Sequence, residues 1–101
     1  MAKRNWDKTL FPNQQKLMKH FGEDLLLAMK RRGYTKALVS DRTGFDPKTV
    51  KRVFDGDPSV SIGVYVMVMA ILGLEQNFND LASNDPLGRK LQDIELLKGR
   101  K

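Results

Sequence analysis

The chain has 101 residues, with 18 Lys and Arg against 12 Asp and Glu, a formal net charge of +6, and no cysteine. That length is one domain with a thin core of its own, which self-association would strengthen. The missing cysteine excludes disulfides and thiolate metal sites and agrees with a reducing compartment. The longest apolar run, residues 64–72, is far short of the roughly 20 residues a membrane span needs, and no signal-peptide-like apolar stretch opens the chain, so a cytoplasmic location is expected.

Charge is unevenly spread. Residues 1–56 carry 13 basic and 6 acidic side chains, residues 57–88 carry none and 4, and residues 89–101 carry 5 and 2. A basic half followed by an acidic one is the polarity of a nucleic-acid reader, although Lys and Arg also serve simply to keep a surface solvated.

Residues 1–12 have no helical period and end in a proline, which reads as an arm. Lys3, Arg4 and Lys8 beside Trp6 are placed to touch a phosphate backbone or to fray in water, while Trp6, Leu10 and Phe11 are apolar enough to pack in part. A long helix follows over about 13–32, with Leu17, Phe21, Leu25, Ala28 and Met29 on one face. Gly22 in its middle marks a kink or a close helix contact. Lys30, Arg31 and Arg32 lie in the last turn, where the helix dipole favours cations; a phosphate contact is the other use for them.

Residues 35–56 are the most informative stretch. Thr35 is a good N-cap for a helix over 35–43, and Gly44 is suited to a left-handed C′ position. Asp46 then caps a second helix with Pro47 at N1, and Asp55-Gly56 ends it. Val39, Ser40, Phe45, Val50 and Val53 are the expected buried positions. Lys48, Lys51, Arg52 and Asp55 share the opposite face of the second helix, with Thr49 between the two faces. Two short helices around a tight turn place the second in the DNA major groove.

A helix starting after Ser61, with Ile62 to Leu72 buried, is expected. Its GVYVMVM run also reads as a strand, and the preceding two-helix unit decides for helix. Met67 and Met69 read as core or dimer filling. A further helix over about 75–82 presents Phe78 and Leu81. Asp85-Pro86 repeats the cap-plus-proline signature and starts a last short helix, 86 to about 91. The apolar 91–97 segment, followed by the basic tail 98–101, is either an adaptable contact element or a lid on the chain's own core.

With Ser40, Gly44, Val50 and Gly56 at their spacings, a helix before the unit and DPSVSIGVYVMVMAILGL after it, residues 14–82 resemble the helix-turn-helix of the Xre/Cro/phage-repressor family. The chain departs from that pattern at Lys36, Ser40 and Phe54, where the family often has Gln, Ala and Glu. The resemblance implies an all-α bundle of five or six short helices, dimeric, acting as a transcriptional repressor. It implies base contacts from Lys48, Thr49, Lys51 and Arg52. The basic side chains suit guanine O6 and N7, and the Thr49 methyl suits a thymine methyl. Lys36, Arg42 and the region of Ser59 and Ser61 are the expected phosphate contacts. One such helix covers too few base pairs, so a two-fold homodimer on an inverted repeat is expected, with Met69, Leu72, Leu74 and Phe78 as interface candidates.

The long first helix, GDPSVSIGVYVMVMAILGL and DPLGRKLQDIEL are also similar to HipB-like antitoxins. That resemblance implies repression of the chain's own operon and pairing with a HipA-type kinase toxin. A stand-alone repressor and a protein-interaction module that mainly inhibits a kinase are the alternatives. Enzyme chemistry finds no support. The lone His20 lies on a polar face, no metal-ligand cluster or phosphate loop is present, and Glu23 and Asp24 point about 100° apart as helix neighbours. No cofactor and no metal are expected. The organisation is thus an arm over 1–12, a DNA-binding domain over 13–85, and a C-terminal helix and tail over 86–101.

Overall fold

Local signals set most of the helix ends. Thr35 Oγ accepts a hydrogen bond from the Leu38 N–H at 3.1 Å, Asp46 Oδ1 from the Lys48 N–H at 2.9 Å, and Asp85 Oδ1 from the Gly88 N–H at 2.9 Å. Each satisfies a donor the helix itself leaves orphaned. The computed structural model describes residues 5–98. Its elements are α1 (Trp6–Thr9), α2 (Pro12–Arg31), α3 (Lys36–Thr43), α4 (Pro47–Phe54), α5 (Ile62–Ile71), a 3-10 helix (Glu75–Asp80) and α6 (Pro86–Lys98). All regular structure among the described residues is helical. The basic positions Lys3 and Arg4 of the expected arm, and residues 99–101 of the expected tail, lie outside the described residues.

The core is built from one face each of α2 to α5. Leu25, Ala28 and Met29 of α2 meet Val39 of α3, Val50, Val53 and Phe54 of α4, and Tyr65, Val68 and Met69 of α5, with Leu72 closing the end. Met18, Phe21, Tyr34, Val60 and Phe78 pack around this cluster. Phe21 stacks on Tyr65 with ring centroids 5.2 Å apart. The Tyr65 hydroxyl donates to the Asp57 carbonyl at 2.8 Å. Burial lifts that hydroxyl well above the usual tyrosine range, and the carboxylates of Asp57 and Asp55 add to the shift.

Two glycines pin α4 to α2. A Cβ at Gly22 would stand 2.7 Å from the Phe54 carbonyl oxygen and 2.9 Å from the Gly56 Cα. A Cβ at Gly56 would collide with the Met18 carbonyl, and Gly56 holds a left-handed φ of 71°. The close-contact alternative for Gly22 therefore holds. This crossing also selects the buried face of α2. Met18, Gly22, Leu25 and Met29 point inward, and Leu17, expected in the core, is 70% exposed. Ser40 and Phe45 are half-buried rather than buried, and Ile62 and Met67, expected to be buried in α5, are exposed because only one side of that helix meets the core.

Three boundaries differ from expectation. The arm contains one helical turn, Trp6–Thr9, tied to α2 because the Gln15 amide donates to the Asp7 and Leu10 carbonyls at 3.0 and 2.8 Å. The helix expected over 75–82 is a 3-10 segment ending at Asp80, in a stretch where Asn77, Asn79 and Asp80 disfavour an α-helix. The last helix does not stop near Leu91; it runs on to Lys98, since no Gly or Pro interrupts 89–98. It buries no residue, and the molecule is accordingly elongated, 57 × 32 × 24 Å.

Candidate nucleic-acid interface

α3 and α4 are joined by Gly44, Phe45 and Asp46. Gly44 turns the chain with a left-handed φ of 79°, and its N–H donates to the Ser40 carbonyl. Side chains lock the turn from within. Ser40 Oγ donates to the Phe45 carbonyl, Thr43 Oγ1 donates to the Val39 carbonyl at 2.7 Å, and the Phe45 N–H donates to Thr43 Oγ1 at 3.2 Å. Ser40, which stands where the resembled family often has Ala, thus does something a methyl group cannot: it fastens the turn ahead of α4.

α4 is sharply two-sided. Val50, Val53 and Phe54 are buried, Lys48, Lys51 and Arg52 are exposed, and Thr49 is half-exposed at the seam. Phe54, where the family often has Glu, joins the core at 4% exposure. The inner face is held by α2, α3 and α5, so the outer face is presented on a rigid backbone.

Lys51 is not a free cation. Its Nζ is 2.7 Å from Asp55 Oδ2, one helical turn on, and both side chains are more than half exposed. Such solvated pairs contribute at most about 1 kcal/mol, so a phosphate or a guanine edge can compete for Lys51. The i, i+4 spacing of the two residues was the signal for this pair.

The expected phosphate contacts are placed unequally. Lys36 is exposed in the first turn of α3. Arg42 is exposed, and its guanidinium lies over the Tyr34 ring, 5.2 Å from the centroid, which restrains its direction. Ser61 caps α5, accepting from the Val64 N–H. Ser59 is already engaged: its N–H and its hydroxyl both donate to Asp57 Oδ1, at 2.8 and 2.7 Å. The carboxylate of Asp57 occupies the donors that a phosphate was expected to take. Nothing in the spacing of Asp57, Pro58 and Ser59 marks this engagement, which depends on the turn's three-dimensional geometry. Arg32 donates to the Ala28 carbonyl at 2.9 Å, so helix capping accounts for it.

Of the interface candidates, Met69 and Leu72 retain only 4% and 1% exposure within a single chain. They are core residues and have no surface to offer a second copy. Leu74 and Phe78 are half-buried against the same core. Elsewhere, His20 Nε2 lies 3.6 Å from Asp24 Oδ1 on the solvated side of α2. Among the described residues no His, Cys, Asp and Glu cluster could hold a metal, and no helix is long and apolar enough to cross a membrane.

No protein-family model, curated protein or solved structure matches the chain.

Proposed function

We propose that the chain is a sequence-specific DNA-binding regulator of the Xre/Cro helix-turn-helix type, acting as a homodimeric repressor, with α4 as its recognition helix. The observation that carries this reading is the two-sidedness of α4. Lys48, Lys51 and Arg52 project from a helix whose opposite side is anchored in the core through Val50, Val53 and Phe54. Lysine and arginine on the outer face of a groove-entering helix suit guanine O6 and N7, and Thr49 suits a thymine methyl. Lys36 and Arg42 on α3 are the phosphate contacts that set register. The concentration of 13 basic residues in the first 56 supports a polyanionic partner for this half of the chain.

Selection from a random duplex pool tests this. The expected product is an inverted repeat with half-sites about one helical turn, roughly 34 Å, apart. Recovery of no common sequence would contradict it.

The antitoxin role is the narrower proposal. Residues 57–88 carry no Lys or Arg, and those of them outside the core remain on offer to a protein while the basic half faces DNA. Titration with a HipA-type kinase encoded beside this chain should then tighten operator binding, and operator should tighten kinase binding by the same factor. No binding between the two proteins would leave a stand-alone repressor.

A further inference from the structure

α6 is a helix of thirteen residues with no buried side chain. Leu87, Leu91 and Ile94 are 65%, 57% and 49% exposed. Their 4-then-3 spacing puts them within about 60° of arc, a stripe down one side of the helix. Water is a poor final environment for such a stripe, and this chain's own core is already closed by α2 to α5. Gly88 beside the stripe does not signal a close helix crossing: a Cβ there would meet the Asp85 carboxylate that caps the helix.

The charges flanking the stripe point to its occupant. With Leu87 and Ile94 at d positions and Leu91 at a, Lys90 falls at g and Glu95 at e. These two are five residues apart and lie on opposite sides of the stripe. In a parallel pair of identical helices, a g residue faces the e residue five positions later on the other strand. Lys90 of each copy then meets Glu95 of the other, twice by symmetry. An antiparallel pair sets g against g and e against e, which brings no opposite charges together here.

We propose that α6 is the self-association element of this protein, pairing in parallel with α6 of a second copy through Leu87, Leu91 and Ile94 and two reciprocal Lys90 and Glu95 contacts. The inference rests on the dimeric reading above and supplies it with an interface that Met69 and Leu72 do not. Three apolar layers make a weak pair. Weakness is compatible with function, because two half-sites on one duplex raise the effective concentration of the second protomer.

Charge exchange in the full-length chain tests the proposal by sedimentation equilibrium. The wild-type chain should dimerise in the micromolar range. Lys90→Glu and Glu95→Lys should each weaken self-association at least fivefold, since each sets like charges against one another. An equimolar mixture of the two variants should recover wild-type association as a heterodimer, as should the double variant K90E/E95K with itself. Leu91→Asp should abolish association while circular dichroism shows an intact helical core. A wild-type chain that stays monomeric, with α6 left for a different protein, would overturn the proposal. So would a dimer indifferent to Leu91→Asp, or charge variants that do not rescue each other. Binding to a short duplex with room for one protomer separates this from the DNA reading: Leu91→Asp should leave that binding unchanged. Loss of duplex binding by the wild-type chain would count against the DNA assignment and not against α6.

Discussion

α4 has eight residues and buries three of them; α6 has thirteen and buries none. Isolated helices of either length are marginal in water. α4 is nevertheless fixed, because Val50, Val53 and Phe54 lock into the core and its end crosses α2 at the Gly22 and Gly56 contact. α6 has its Asp85 cap and an unclaimed apolar stripe. Tertiary packing, more than length, decides which face of a helix is available. α4 has committed its apolar side inward and offers cations. α6 buries no residue and offers the stripe of Leu87, Leu91 and Ile94.

The sharpest way to break this contrast is to unseat α4. Gly56→Ala forces a methyl into the Met18 carbonyl at a left-handed φ and should cost about 3 kcal/mol of unfolding free energy in denaturant titration. Ile94→Ala on α6, in a dilute monomer, should fall within about 0.5 kcal/mol of wild type. Comparable losses at the two sites would mean that α6 belongs to the core after all.

Tyr65→Phe probes the support beneath the end of α4. It removes the donor to the Asp57 carbonyl and should cost about 1–2 kcal/mol at neutral pH. Because the hydroxyl ionises at higher pH in the folded chain than in the unfolded one, its contribution is complete below about pH 10 and is lost as pH rises towards the folded value. The wild type should therefore lose stability above about pH 10 more steeply than the Phe variant, as thermal melts at several alkaline pH values would show.

A gentler change sharpens the outer face of α4. Asp55→Asn frees Lys51 and removes a negative charge from the side proposed to meet DNA. Stability should move by less than about 1 kcal/mol, while DNA affinity should rise several-fold in a fluorescence anisotropy titration. Weaker binding would show that the pair orients Lys51 usefully.

Much of this was legible in the sequence where the physics is local. The caps at Thr35, Asp46 and Asp85 and the left-handed turn at Gly44 depend on a few neighbouring atoms, and all are present. The lysines and arginine of α4 were placed outward by periodicity alone. What escaped is tertiary. Leu17, Met18, Phe21 and Leu25 offer two adjacent apolar stripes, and only the approach of Gly56 to Gly22 selects the one with Met18. α5 is apolar all round, so no pattern told the buried Met69 from the 47% exposed Met67. The two glycines could each be singled out, but not as partners. The engagement of Ser59 by Asp57 depends on a turn geometry that composition does not show.

The most direct test of the account compares Arg52→Ala, Lys48→Ala and Lys36→Ala on the selected operator and on random duplex at one salt concentration. The account predicts that Arg52→Ala and Lys48→Ala each lose about 1–3 kcal/mol on the operator and much less on random DNA, whereas Lys36→Ala weakens both alike. Equal losses on operator and random DNA for all three would contradict the assignment of α4 as the reading helix.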